Sequence, residues 1–122
     1  MLAERDLSQF TGTEHWYRHP LVKHFVYTDG IKFLAEQAQA YWLIDAIASY
    51  QPALRKNSRL QEFQLWELKL NGKGGCTLTC QEDSDKPNVV EQKIGSTDFP
   101  FDIKLYVEGD GEHLTCLLSS EH

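Results

Sequence analysis

His15 and His19 lie four residues apart with Glu14 beside them. On a helix that spacing puts both imidazoles on one face, where a carboxylate brought from elsewhere would complete a divalent-metal site. His24, Asp29, Glu36 and Asp45 are the candidates to complete it. Three features oppose this chemistry. Pro20 disfavours helical geometry in the residue before it, so His19 ends any helix there. Thr11-Gly12-Thr13-Glu14 matches a capping box, which gives Glu14 a local task. The His-Glu-x-x-His pattern of zinc hydrolases is also absent. The expectation is therefore no metal and no cofactor. His15 and His19 then pack edge-on against Trp16, Tyr17 and Trp42 and bond to backbone groups or to Asp45.

Asp45 stands out for a different reason. At about 100° per residue it shares a helical stripe with Ile31, Leu34, Ala38 and Trp42, so an unbroken helix would aim a carboxylate into apolar surroundings. There it must find donors or keep a proton, as a catalytic carboxylate or a structural tie would. Trp16, Tyr17, Arg18 and His19 are the donors within reach of such a tie, and Trp16, Tyr17, Arg18 and Trp42 are the candidate binding surface. Other chemistries find less. No Gly-x-Ser-x-Gly elbow exists, and the glycine-rich Gly72-Lys73-Gly74-Gly75 joins two strands instead of opening a helix, so it reads as a hairpin turn. Arg55, Lys56 and Arg59 form the one basic cluster and read as a solvated face.

The elements that must position these residues follow from hydrophobic period. Leu2 to Phe10 predicts a short helix, and the capping box predicts a second helical segment ending at His19. Leu21 to Tyr27 is extended or irregular. Thr28 or Asp29 caps a main helix that runs to Tyr50 and stops at Gln51-Pro52. Because Leu43, Ile44 and Ile47 point away from the Ile31 stripe, that helix either breaks near Gln39 or is covered on two sides. Beyond about residue 62 the period becomes two. Phe63 to Leu70, Cys76 to Gln81, Val89 to Ile94, Phe101 to Val107 and His113 to Leu118 are candidate strands separated by turn sequences. The predicted fold is α+β in a single domain, with the helical part (about residues 1–58) packed on one face of an antiparallel meander of four to five strands (about 62–118).

At 122 residues, 41% hydrophobic and 25% charged, the chain suits one ordinary soluble domain. Charges in the first residues displace the apolar segment a signal peptide needs, and no run is long enough to span a membrane, so the cytosol is expected. Three cysteines, an odd number, argue against a disulfide framework. Reduced thiols are expected, with Cys80 and Cys116 the one cross-strand pair the pattern leaves open. The formal charge of −6 is concentrated after residue 61, where twelve Asp/Glu oppose five Lys/Arg. Such a field repels phosphates and argues against direct nucleic-acid binding.

The segments Phe10 to Leu21, Tyr27 to Glu36, Ala40 to Asp45, Phe63 to Trp66 and Thr97 to Phe101 resemble a family of short bacterial proteins classed only as a domain of unknown function. The resemblance spans nearly the whole chain and implies no activity or catalytic residue. The biochemical function thus stays unknown from sequence, and three readings compete. The leading one is a non-enzymatic interaction domain that meets a protein partner or a second copy of itself through aromatic or sheet-edge surface. The others are a small-molecule or metal-binding enzyme using His15, His19 and Asp45, and an acidic decoy whose carboxylates mimic phosphates.

Overall fold

The computed structural model describes residues 2–122. Two helices and seven strands form an α+β fold. The strands are β1 (Trp16–Arg18), β2 (Phe25–Thr28), β3 (Phe63–Leu70), β4 (Cys76–Gln81), β5 (Asn88–Ile94), β6 (Ile103–Gly109) and β7 (Leu114–Leu118). The helices, α1 (Asp29–Gln37) and α2 (Tyr41–Leu54), lie between β2 and β3. The strand order is β1-β2-β7-β6-β3-β4-β5, antiparallel throughout except where β2 runs parallel to β7.

The predicted four- to five-stranded antiparallel meander is therefore corrected to a mixed sheet of seven. Alternation placed the strands after residue 62 well, but their connectivity is not a simple meander. After β5 the chain crosses back over β4 and β3 to begin β6, pinned on the way by the Thr97 amide donating to the Gly74 carbonyl and by buried Phe99. The helical part is corrected too. Leu2 to Phe10 contains only a 3₁₀ turn, Glu4–Leu7, and the segment ending at His19 is not helix but irregular chain leading into the three-residue strand Trp16–Arg18. Thr11 caps nothing. The Glu14 and His15 amides, which in a helix capped by Thr11 would bond the Thr11 side chain and carbonyl, are taken instead by the distant Asp29 carboxylate, which holds the segment out of helical geometry.

The main helix breaks at Gln39, one of the two alternatives its pattern allowed. Ala38 ends α1, Gln39 adopts φ 51°, and the Ala40 amide donates to the Ala35 carbonyl at 2.8 Å. That is a Schellman closure with glutamine where glycine is usual, and Ala35 and Ala40 are both buried beneath it. The break resets the helical phase. The buried face of α2 becomes Leu43, Ile44, Ile47, Ala48 and Gln51. The predicted stop at Gln51-Pro52 is corrected: Pro52 sits inside the last turn, giving up its own bond to the Ala48 carbonyl, and the helix continues to Leu54.

Both helices cover one face of the sheet, against Phe25, Trp66, Leu68, Leu78, Leu105, Val107 and Cys116. A buried amide pair fastens α2 to β3. Gln51 and Gln64, both 0% exposed, exchange hydrogen bonds of 2.9 and 2.8 Å, while Gln64 also donates to the Leu60 carbonyl and accepts from the Trp66 indole. Neither helix lies on the opposite face, which the C-terminal turn covers in part: His122 packs against Phe63 and Tyr106 there and pairs with Glu108 at 2.6 Å. Register places Arg18, Val26, Thr115, Glu108 and Phe63 in one row there, and Leu117, Tyr106 and Leu65 in the next.

Candidate functional site

The segment carrying the candidate residues is held by two carboxylates. Asp29, at the start of α1, accepts from the Glu14 and His15 amides at 3.0 and 3.3 Å and from the Tyr17 hydroxyl at 2.9 Å. Its own amide donates to the Thr13 hydroxyl. These donors, the Glu14 amide first, hold the Asp29 carboxyl below the usual carboxylate range, and the same bond raises the Tyr17 hydroxyl above the ordinary phenol value. Tyr17 stacks on Tyr27 with ring centroids 5.6 Å apart, and the Lys32 ammonium sits 4.6 Å from the Tyr17 ring centre. Glu121 braces the same helix end from the other side. Its carboxylate accepts from the Thr28 hydroxyl, the Gly30 amide and the Leu118 amide. A side chain on Gly30 would strike that carboxylate, so glycine is what lets it seat.

The second tie is His19 to Asp45. His19 Nε2 lies 2.8 Å from Asp45 Oδ1, and His19 Nδ1 accepts from the Leu21 and Val22 amides at 3.2 and 3.1 Å. The two amides fix the tautomer: Nδ1 is the acceptor and Nε2 donates to Asp45. Both nitrogens are thus spent, and the ring is 5% exposed. The expectation that Asp45 points into apolar surroundings is corrected. Its side chain is 68% exposed, because the Gln39 break turns α2 out of the phase that placed Asp45 on the Ile31 stripe.

His15 does not join His19. It is exposed, with Nδ1 3.6 Å from Asp29, and the extended backbone separates the two residues by roughly 13 Å. Among the described residues no three His, Cys, Asp or Glu side chains converge as a metal site. Trp16, Tyr17, Arg18 and Trp42 are also dispersed. Tyr17 faces the helical side and Trp42 is half-buried on α2, whereas Trp16 and Arg18 point to the bare face of the sheet.

On that bare face the sheet forms a groove. Two adjoining depressions of about 630 and 570 Å³ share Trp16, Asp110 and Thr115. Val26, Thr28, Thr115 and Leu117 line it from the sheet, and Glu62, Glu108, Asp110 and Glu121 surround them. Trp16 is 59% exposed at its edge. Arg18 and His113 are the basic groups in the lining. The Asp110 carboxylate accepts from the Glu112 and His113 amides, which shapes the β6–β7 turn and holds Asp110 below the usual carboxylate range. A further cleft of about 450 Å³ lies between the Glu4–Leu7 turn and β6, where Glu67 and Lys104 face each other across strands and Ser120 is spent on the Leu7 carbonyl.

The model of the family of unknown function DUF6876 matches residues 1–122. The chain belongs to this family. No curated protein and no solved structure matches it.

In this DUF6876 chain the thiols are free and buried. Burial pushes Cys80 up to about 12 and Cys116 higher still, so neither is a nucleophile near neutral pH. Cys80 and Cys116 lie on β4 and β7 with β3 and β6 between them, roughly 14 Å apart at the usual strand spacing. That removes the one disulfide the pattern left open. Sequence reasoning missed the groove because it depends on β2 lying beside β7. Its acidic rim was visible only as an excess of carboxylates after residue 61. Gln64 was a missed signal of another kind, since it alternates in phase with Trp66 and Leu68 and had to be buried.

Proposed function

We propose that this chain is a single-domain protein-interaction module whose recognition surface is the bare sheet face beside Trp16, and whose occupant is a basic, extended segment of a partner polypeptide. The carrying observation is an exposed indole at the edge of an acidic groove, where Glu62 stands beside Glu108, Asp110 and Glu121, the last three already bonded to His122, to the β6–β7 turn and to the start of α1. Lysine or arginine side chains fit such a lining twice over, through the carboxylates and through the face of the indole. β1 is a three-residue edge strand, and its outer side offers backbone groups to an added strand. The far edge, β5, carries Glu91 and Lys93, charges that discourage pairing there. A reducing cytosolic setting suits three buried thiols.

The enzyme reading has less to stand on, since His19 keeps no ring nitrogen for a substrate and His15 lies far from it. The decoy reading uses the same carboxylates, and its target would also be basic, but it has no need of Trp16.

The test is titration of an alternating Lys-Val peptide into the protein, followed by tryptophan fluorescence and calorimetry. Binding should weaken strongly as salt rises and should fall in both Trp16→Ala and Glu62→Gln. Binding indifferent to Trp16 but steep in salt would favour the decoy. Self-association that Trp16→Ala abolishes, with no peptide binding, would make a second copy the occupant and overturn the basic-segment reading.

A further inference from the structure

Behind the groove, on the other side of His113, a small cleft lies between the end of α2 and the β6–β7 turn, lined by His24, Arg55, Gln61, Gly111, Glu112, His113 and Leu114. We propose that this cleft binds an oxyanion, a carboxylate or phosphate group, through His24, Arg55 and His113. The proposal goes beyond the groove and does not depend on what occupies it.

The first observation is an orphan. His24 Nε2 is buried without a hydrogen-bond partner, the one such side-chain atom among the described residues. Buried polar atoms are nearly always paired, and this lone one belongs to a residue that lines the cleft. The second is the company it keeps. Arg55 and His113 line the same cleft, and among the described residues Arg55 forms no ion pair. Burial first, and then the positive fields of Arg55 and His113, lower the His24 imidazole below its ordinary value. In its Nε2–H tautomer a neutral His24 would donate to an oxyanion, which would also offset the positive groups beside it.

The shape limits the ligand. The cleft is open to solvent and holds about 40 Å³, room for a group and not for a whole metabolite, so the ligand inserts an anionic end and leaves the remainder outside. Glu112 stands exposed in the lining and disfavours anions held by Arg55 alone. The turn that carries His113 is braced by Asp110, so this side of the cleft is preformed.

The test uses the whole chain and follows the histidine ring resonances by NMR through a pH titration in sodium chloride, sodium phosphate and sodium acetate at matched ionic strength. The His24 midpoint should rise in phosphate, in acetate or in both, saturating with concentration. A response to phosphate alone assigns a phosphate monoester, a response to acetate alone assigns a carboxylate, and a response to both assigns an oxyanion of either kind. Arg55→Gln, at an exposed position whose folding is checked by circular dichroism, should weaken the response about tenfold, the loss of one charge-assisted contact. His24→Asn read by calorimetry should weaken it as well, independently of the ring signal. A His24 midpoint unmoved in both anions, or a response that survives both substitutions, overturns the site.

Discussion

Replacing Gln64 by methionine keeps the length and most of the volume of the side chain but removes every polar atom from the centre of the amide pair. The bonds lost can be counted. The Trp66 indole loses its acceptor, the Leu60 carbonyl loses a donor, and the Gln51 amide loses one partner at its oxygen and one at its nitrogen. Each buried group left unpaired costs about 1–3 kcal/mol, and partial relaxation brings the expected total to about 3–5 kcal/mol. For 122 residues a stability of about 6–18 kcal/mol is ordinary, so this one change consumes a large share. Gln51→Met strands fewer groups, since Gln64 still bonds Trp66 and Leu60, and should cost about 2–3 kcal/mol. The double variant removes both amides together and leaves only the indole and the Leu60 carbonyl unpaired, so it should cost no more than Gln64→Met alone. Urea unfolding followed by far-UV circular dichroism measures all three without relying on Trp66 as the reporter. If the double variant costs the sum of the singles within about 0.5 kcal/mol, or if Gln64→Met costs under about 1 kcal/mol, the amide pair is not the coupled unit described here.

The other ties make shorter tests. His19→Ala strands two backbone amides and removes a buried ring, so it should cost about 3 kcal/mol, while Asp45→Ala should cost at most about 1 kcal/mol because the carboxylate is 68% exposed; equal losses in urea midpoint would refute that asymmetry. Gln39→Gly should raise stability by about 0.5–1 kcal/mol by relieving left-handed backbone, read from the melting temperature. Asp29 and Asp110 are depressed in the folded state. Their contribution is present in full above the unfolded carboxylate value of about 3.9 and is lost as pH falls through the folded values. Asp29→Asn should flatten the acid limb of a stability profile measured between neutral and acid pH.

What could be read from the sequence was local. β3 and β4 begin and end where alternation placed them, because each is long enough for its period to show. The Thr28 cap of α1 and the break near Gln39 were legible for the same reason, since their signals lie within a few residues. β1 and β2 were not. They are three and four residues long, too short to display a period, and β2 is fixed by β7 from the far end of the chain. The Thr11 to Glu14 motif misled because the Glu14 amide is satisfied by Asp29, 15 residues further on. At the candidate site, the pairing of His19 with Asp45 is one the spacing allows, but the exposure of Asp45 turns on the Gln39 break, and the groove on a strand neighbour no local pattern reveals.

The parallel pairing of β2 with β7 has a consequence for synthesis. β1 and β2 reach the rest of the sheet only through β7, and the Thr28 cap of α1 is braced by Glu121, whose bond to Thr28 spans 93 positions of sequence. A ribosome delivers the chain from the other end. At about 5–20 residues per second, roughly 4–17 s pass between the emergence of α1 and the arrival of Glu121. Throughout that interval Phe25, Ile31 and Leu34 have no strand to cover them, while β3, β4 and β5 can already zip with neighbours in sequence. The nascent protein is thus a hairpin sheet beside an uncovered apolar arm, and the arrival of β7 is the step that ends the exposure.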